Sequence, residues 1–272
     1  MAERNAPVIL VEHLRVNYGR RVALCIDQLR FDRGECVGII GPSGAGKTTL
    51  LRAIKGYVRP TRGKIEVLGL NWSMCDRSAR RRVQRRIGLI FQQFHLVPRM
   101  TVLQNVLCGR LGSTHRLKSL FGRFSAEDKQ IAWRAICEVG LQEQVHQRAD
   151  TLSGGQQQRV AIARVVAQQP EVILADEPVS NLDPVLGAEV LTLLVEVTKH
   201  HDATLILNLH QPALAKRFVN RVVGLRDGRI VFDDLPSRLT DDQLQEVYLG
   251  YEPTPLYRDD STAGRSMAMV GA

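Results

Sequence analysis

The chain contains 272 residues, of which 44% are hydrophobic and 24% are charged, a composition typical of a globular protein with a sizeable core. Lysine and arginine outnumber aspartate and glutamate by 37 to 28, and the resulting charge of +9 favours acidic partners such as nucleotides, nucleic acids or anionic membranes. No apolar run approaches the roughly 18 residues that a membrane-spanning helix requires, so we expect a chain that is soluble and is not exported.

The first elements in chain order are strands. Residues 8–34 show short alternating apolar patterns separated by turns, which predicts a small antiparallel sheet. "ECVGIIG" at 35–41 is instead an uninterrupted apolar run, typical of a buried strand in a parallel sheet, and "EVILADE" at 171–177 and "TLILNLH" at 204–210 share this character. Helical patterns follow the first two runs, so the order of elements predicts an α/β layer with right-handed crossovers.

"GPSGAGKT" at 41–48 lies between the first buried strand and a helix, as a phosphate-binding loop does. Its glycines allow main-chain N–H groups to curl around phosphate oxygens. Lys47 would bring a positive charge to the β- and γ-phosphates, and Thr48 would offer a hydroxyl group to Mg²⁺. A chance glycine-rich turn is the alternative. The predicted nucleotide-binding residues here are Gly41, Pro42, Ser43, Gly44, Ala45, Gly46, Lys47, Thr48 and Thr49.

The basic run "RSARRRVQRR" at 77–86 has three interpretations. Its charges would suit nucleic acid phosphates, but no aromatic residues alternate with them to stack on bases. A solvated helix face is favoured, and a position near anionic lipid headgroups would explain the charge equally well. We therefore expect no nucleic acid partner.

The stretch 94–164 lacks strong strand signals but contains helical patterns such as "AEDKQIAWRAICEVG", which predicts an inserted helical subdomain. Near its end, "LSGGQ" at 152–156 starts another helix. Ser153 and Gln156 match a capping box, which alone would explain a well-formed helix start. A capping box does not require Gly154 and Gly155, since glycine is a poor helix former. Exposed main-chain amides beside a serine would make a second anion site.

Two carboxylates and a histidine follow the later buried strands. Asp176 lies at the carboxyl end of "VILADE", where it could reach a Mg²⁺ ion, and Glu177 would lie near an attacking water. His210 ends the third strand at the same edge of the sheet and could contact a γ-phosphate. A helix cap or a solvated turn is the structural alternative for the two carboxylates, and a satisfied polar residue at a strand end is the alternative for His210.

Together these motifs resemble those of the ATP-binding subunit of an ABC transporter, over about residues 7–240. "GPSGAGKT" is similar to the Walker A motif, "VILADE" to Walker B, "LSGGQ" to the family signature and "SNLD" at 180–183 to the D-loop, in which Asn181 replaces a common alanine. The resemblance also identifies Gln92 as the Q-loop glutamine, His210 as the switch histidine and Tyr18 as the aromatic residue that stacks on adenine.

The resemblance implies an ABC ATPase fold: an α/β P-loop NTPase (RecA-like) core from 7–93 and 165–240, a flanking antiparallel β subdomain and the helical subdomain at 94–164. It implies ATP and Mg²⁺ as cofactors. It also implies a head-to-tail homodimer, in which the signature of one copy caps the γ-phosphate held by the other. The implied catalytic residues are Glu177, His210, Lys47 and Gln92; the metal ligands are Thr48, Gln92 and Asp176; the nucleotide contacts are Tyr18, the phosphate-loop residues, Ser153, Gly154, Gly155, Gln156 and Asp183.

A narrower resemblance covers 91–121 and 210–234, which are similar to ATPases of phosphonate importers and their phosphite-importing relatives. It implies a peripheral subunit on the cytoplasmic face of the inner membrane, with permease subunits and a periplasmic binding protein as partners. Three alternatives stay open: an ATPase component of a soluble phosphonate-degradation complex, an ATPase of a transporter for another substrate, and a non-transport ABC protein. The last usually has two cassettes or a long coiled coil, and this chain shows neither.

The segment 241–272 ends in a stretch rich in proline, serine, glycine and alanine, so we expect it to be a flexible tail. The five cysteines form no C-x-x-C pair, which predicts neither a zinc site nor a disulfide framework and suits a reducing cytosol. We expect them to be buried small side chains.

Overall fold

A computed structural model describes residues 6–113 and 124–249. The strands in these ranges are β1 (Ile9–Tyr18), β2 (Arg21–Phe31), β3 (Cys36–Ile40), β4 (Arg62–Val67), β5 (Leu70–Asn71), β6 (Ile87–Ile90), β7 (Val172–Asp176), β8 (Thr204–Asn208), β9 (Arg221–Arg226) and β10 (Arg229–Asp234). The α-helices are α1 (Lys47–Ile54), α2 (Arg77–Gln84), α3 (Val102–Leu107), α4 (Ala126–Glu138), α5 (Gly154–Ala167), α6 (Pro184–His200), α7 (Pro212–Phe218) and α8 (Asp241–Tyr248).

The larger sheet has six strands in the order β10-β9-β3-β8-β7-β6. Strands β9, β3, β8, β7 and β6 run parallel to one another, and β10 pairs with β9 antiparallel through the turn at Asp227 and Gly228. The three apolar runs predicted as buried strands are β3, β7 and β8, which lie side by side at its centre. Because they are parallel, their carboxyl ends meet at one edge, where ligands bind in open α/β sheets.

Alternate residues of these strands point to opposite faces of the sheet, as strand geometry requires. Val37 and Ile39 pack with α1 in one hydrophobic cluster. Ile40, with residues of β7 and β8, packs against α5 and α6 in the other. The sheet is therefore covered by helices on both faces, which explains why its strands are apolar throughout rather than alternating.

The smaller sheet has four antiparallel strands in the order β2-β1-β4-β5. It confirms the predicted N-terminal sheet, although β1 and β2 are longer than the short strands expected, with 10 and 11 residues. Main-chain hydrogen bonds join both this sheet and the phosphate loop to the turn between β9 and β10. The N–H of Cys25 donates to the carbonyl oxygen of Gly228 at 2.8 Å, and the N–H of Gly228 donates to that of Ala45 at 2.9 Å.

Helices α3, α4 and α5 pack against one another in the region predicted to be helical. Each begins with a capping box, formed by Thr101, Ser125 and Ser153 respectively. A buried ion pair between Arg110 and Asp128, 2.9 Å apart, joins the short 3₁₀ helix that follows α3 to the start of α4. Helix α5 continues without a break past residue 164, so the end of the helical subdomain predicted at that residue lies inside this helix.

The C-terminal expectation is wrong for 241–249. Asp241–Tyr248 forms α8, which Thr240 and Gln243 begin with a capping box and which packs against β9 and β10 through the fully buried Val247. The missed signal was local, since a threonine followed three residues later by glutamine predicts a helix start. The rest of the predicted tail lies outside the described residues. The expectation of buried cysteines is also wrong, because four of the five are half-buried and Cys137 is exposed.

Candidate functional site

The phosphate-binding loop joins β3 to α1 at the carboxyl edge of the larger sheet. Gly41 and Gly46 have φ angles of 148° and 107°, which L side chains rarely adopt. A Cβ atom at Gly41 would also lie 2.0 Å from the carbonyl oxygen of Leu225, and one at Gly46 would lie 2.7 Å from that of Ala23. The loop conformation therefore depends on glycine at both positions.

Lys47, the first residue of α1, is buried and turns back into the loop. Its Nζ donates to the carbonyl oxygens of Gly41 at 2.7 Å and Pro42 at 3.1 Å. Burial lowers the pKa of Lys47, and the nearby carboxylates of Glu177 and Asp176 partly oppose that shift. The loop thus holds its lysine charge inside the curl of main chain that would surround a phosphate group.

Asp176 lies at the end of β7, directly beside the loop. The Thr48 hydroxyl donates to its Oδ1 at 2.9 Å, and the side-chain amide of Asn208 donates to the same oxygen at 2.7 Å. Hydroxyl and carboxylate oxygens are the ligands that Mg²⁺ prefers, so Thr48 and Asp176 fit the predicted metal site. Asn208 was missed from the sequence, although it ends β8 opposite Asp176 in the strand register.

Glu177 follows β7 with a φ of 53°, in the left-handed region that non-glycine residues seldom occupy. Its largely buried carboxylate is hydrogen-bonded to Nε2 of His210. The sequence predicted both residues at this edge, and the structure brings them into contact across the loops that follow β7 and β8.

The helix start at Ser153 is a complete capping box. The N–H of Gln156 donates to the Ser153 hydroxyl at 3.3 Å, and the N–H of Ser153 donates to Oε1 of Gln156 at 3.0 Å. The two glycines differ. A Cβ atom at Gly155 would lie 2.6 Å from Cδ2 of Leu186 on α6, whereas one at Gly154 would meet nothing closer than 3.5 Å. Packing inside the chain explains Gly155 but not the exposed Gly154.

The remaining predicted residues lie in exposed positions. Asp183 accepts the N–H of Leu186 at 3.0 Å and so caps α6. Gln92 lies in the loop after β6, where its carbonyl oxygen accepts the Asn181 side-chain amide at 3.2 Å. In the part of the chain that the structure describes, the Gln92 side chain makes no hydrogen bond to Thr48 or Asp176. Tyr18 ends β1 with 51% of its surface exposed.

Comparisons with known proteins agree with this geometry. A profile of the ABC transporter family matches residues 26–180, which is more than half of the chain. The chain belongs to the ABC transporter family. The phosphonates import ATP-binding protein PhnC of Nitratidesulfovibrio vulgaris is 44% identical over 245 residues, covering 90% of this chain and 92% of that protein. A second protein of that name, from Pseudomonas aeruginosa, is 45% identical over 258 residues and 93% of both chains.

A solved ABC transporter cassette shares the fold. It is a dimeric ATP-binding cassette in a post-hydrolysis state bound to ADP and Pi, 31% identical to this chain, with a TM-score of 0.72. The match covers 84% of this chain and 98% of the cassette. The P-loop core, antiparallel sheet and helical segment of this ABC protein are therefore arranged as in ABC ATPases, as the sequence predicted.

A tyrosine that sequence reasoning missed also reaches the site of this ABC protein. The Tyr248 hydroxyl on α8 donates to the carbonyl oxygen of His210 at 3.3 Å. Burial raises the pKa of Tyr248 to about 12, and a hydrogen bond with the main chain of Gly41 opposes that shift. Across 6–113 and 124–249, no helix has the length and apolar character needed to cross a membrane.

Proposed function

We propose that this chain is the ATP-hydrolysing subunit of an importer of phosphonates or related phosphorus oxyanions. The observation that carries the proposal is the meeting of Lys47, Thr48, Asp176 and the Glu177–His210 pair at one edge of the sheet. Relatives named phosphonates import ATP-binding protein, aligned over 90% or more of this chain, support the substrate class.

The phosphate-binding loop would hold the ATP phosphates through its main-chain N–H groups and Lys47. Thr48 and Asp176 would hold Mg²⁺, with Gln92 as a further ligand, and the metal would neutralise charge on the phosphate oxygens. Tyr18 would stack on the adenine ring, and its exposed face leaves room for that contact.

Glu177 would orient or deprotonate the attacking water, because its carboxylate lies beside the phosphate loop. His210 would hold that carboxylate in place through their hydrogen bond and would sense the γ-phosphate. Asn208 would fix the rotamer of Asp176 by its amide hydrogen bond, which leaves the other carboxylate oxygen available.

We also propose that the signature segment 153–156 serves a second copy of this chain. Ser153 and Gly154 are exposed, and within the described ranges Gly154 has no packing contact that would explain a glycine. Each copy would place these N–H groups and Asp183 on the ATP held by the other, so two chains close around two nucleotides. The 31% identical cassette is described as dimeric, which supports this arrangement.

Permease subunits would bind a groove of about 540 Å³, hereafter the docking groove, between the end of α1, α2, the loop after β6 and α5. It includes Tyr57, Arg81, Arg85, Phe91 and Arg164. Phe91 is adjacent to Gln92, so a permease segment in the groove would lie next to the loop that faces the nucleotide. The chain would then sit on the cytoplasmic face of the inner membrane, and a periplasmic binding protein would act only through the permease.

The test is uptake of a radiolabelled phosphonate by cells that lack this gene, complemented with wild type or with Glu177→Gln. Phosphate uptake is the control for general transport. Uptake restored only by wild type supports the proposal, whereas normal phosphonate uptake without the gene contradicts it. Co-purification with an integral membrane subunit would separate import from a role in a soluble phosphonate-degradation complex.

A further inference from the structure

Helix α2 presents a cluster of arginines around a cavity of about 460 Å³. The residues that line it are Arg77, Ser78, Arg81, Arg82 and Arg85. We define the α2 arginine face as these four arginines, all of which are exposed. Four cations on little more than two turns of helix repel one another, so an anion between them would stabilise the arrangement.

The other two arginines of the run 77–86 already have partners. Arg86 forms an ion pair with Glu171, and Arg80 donates to the carbonyl oxygen of Trp72 and lies over its ring. Among the residues that the structure describes, none of the four in the α2 arginine face pairs with a carboxylate; Arg82 donates to the Ser78 hydroxyl at 3.0 Å. Asp76, the nearest acid in the sequence, caps the helix by accepting the N–H of Ala79 at 2.6 Å.

An exposed apolar side chain shortly precedes α2 in the sequence. Met74, two residues before the helix cap, is 85% exposed. Tyr57, on the docking groove, is 59% exposed. Basic residues with exposed apolar neighbours are typical of surfaces that contact anionic bilayers, where arginine meets lipid phosphates and the apolar group enters the interface. Among the described residues, no aromatic side chain lines the arginine cavity, which argues against base stacking by a nucleic acid.

We propose that the α2 arginine face binds the phosphate groups of anionic phospholipids beside the permease. This inference rests on the proposed function, because Arg81 and Arg85 also line the docking groove and so place the two surfaces side by side. A permease in the groove would bring the arginine face towards the bilayer. Lipid contact would then add to the affinity of the chain for its membrane complex without using the ATP site.

The test is sedimentation of the purified full chain with vesicles of phosphatidylcholine alone or mixed with phosphatidylglycerol. We expect binding only to the anionic vesicles. The fourfold variant Arg77→Gln, Arg81→Gln, Arg82→Gln, Arg85→Gln should lose on the order of a hundredfold to a thousandfold in partitioning, at about 1 kcal/mol for each arginine at the surface. The double variant Arg77→Gln, Arg82→Gln keeps both groove residues and should lose on the order of tenfold or more.

A matched control removes four exposed cations on other elements: Lys129, Arg134, Lys199 and Arg229, each changed to glutamine. An equal loss in this control would show that net charge alone attracts the chain and would overturn the proposal. So would equal binding to neutral vesicles, displacement by inorganic phosphate at constant ionic strength, or tighter binding to an RNA oligomer through the same arginines. Thermal melting confirms that each variant is folded. The assay contains no permease or phosphonate, so failure of the uptake test leaves its result intact.

Discussion

The hydroxyl group of Tyr248 lies 3.3 Å from the carbonyl oxygen of His210, to which it donates a hydrogen bond. The last described helix thereby contacts the loop that carries the proposed γ-phosphate sensor. Since α8 also packs on β9 and β10, this helix supports the nucleotide site.

Tyr248→Phe should therefore slow ATP hydrolysis while keeping the fold. The ring remains to fill its site, but the loop at His210 loses a hydrogen bond of roughly 0.5–1.5 kcal/mol, and an effect of that size transmitted to the transition state corresponds to about a two- to tenfold lower kcat. Steady-state ATPase assays would measure it, with the exposed Tyr57→Phe as the matched control. A kcat equal to wild type would show that the contact has no role in turnover.

Glu177→Gln should bind ATP normally and hydrolyse it slower by on the order of 10²–10⁴, because the proposed base is lost while the phosphate loop survives. Size-exclusion chromatography with ATP should show a trapped dimer.

Lys47→Ala should instead lose ATP affinity, since the charge of Lys47 lies within the phosphate loop. A monomeric Glu177→Gln protein with bound ATP would contradict the role given to Ser153, and unchanged affinity in Lys47→Ala would contradict the phosphate-loop assignment.

The two signature glycines should respond differently to alanine. Gly155→Ala places a methyl group against Leu186 and should destabilise the fold by roughly 1–3 kcal/mol, measured by urea unfolding. Gly154→Ala meets no close neighbour, so the monomer should keep its stability but lose ATP-dependent dimerisation. Light scattering with ATP in the Glu177→Gln background would test this, and normal dimers in the Gly154→Ala protein would remove the segment from the proposed interface.

Lys55 should make stability depend on pH above neutrality. Burial lowers the pKa of Lys55 from 10.5 to about 8 in the folded protein. Between pH 8 and 10.5 this lysine binds more protons in the unfolded chain than in the folded one, so it contributes a rise of about 3 kcal/mol to the free energy of unfolding. Urea unfolding at both pH values would show that the change in the free energy of unfolding is more positive by about this amount in wild type than in Lys55→Met, since groups common to both proteins cancel. Equal pH dependence of the free energy of unfolding in the two proteins would contradict the role given to Lys55.

The three central strands of the larger sheet and its phosphate loop could be predicted from the sequence because their signals are local. The apolar run of β3 followed directly by "GPSGAGKT" specifies a strand, a turn and a helix within about 20 residues. The helix start at Ser153 was likewise marked by a short pattern. Such motifs predict which residues lie at the carboxyl edge, since parallel strands bring their ends together.

The residues that were missed depend on contacts between distant parts of the chain. Asn208 reaches Asp176 because β7 and β8 are neighbours in register, and no local pattern distinguishes it from another strand residue. Tyr248 reaches His210 across 38 positions. Gly155 is explained by Leu186 on another helix, whereas the sequence alone attributed both signature glycines to a ligand. The start of α8, in contrast, was marked by a local capping signal at Thr240 and Gln243. The proline- and serine-rich residues that follow it led to the prediction of a flexible tail instead.

The turn at Asp227 and Gly228 has a practical consequence for engineering this protein. A short polar turn between two strands normally tolerates an inserted tag or reporter domain. Here the N–H of Gly228 donates to Ala45 inside the phosphate loop, and its carbonyl oxygen accepts from Cys25 on the smaller sheet. A fluorescent reporter inserted at this turn would disturb the hydrogen bond to the phosphate loop and so alter the nucleotide site. Labels should therefore be placed elsewhere on the chain.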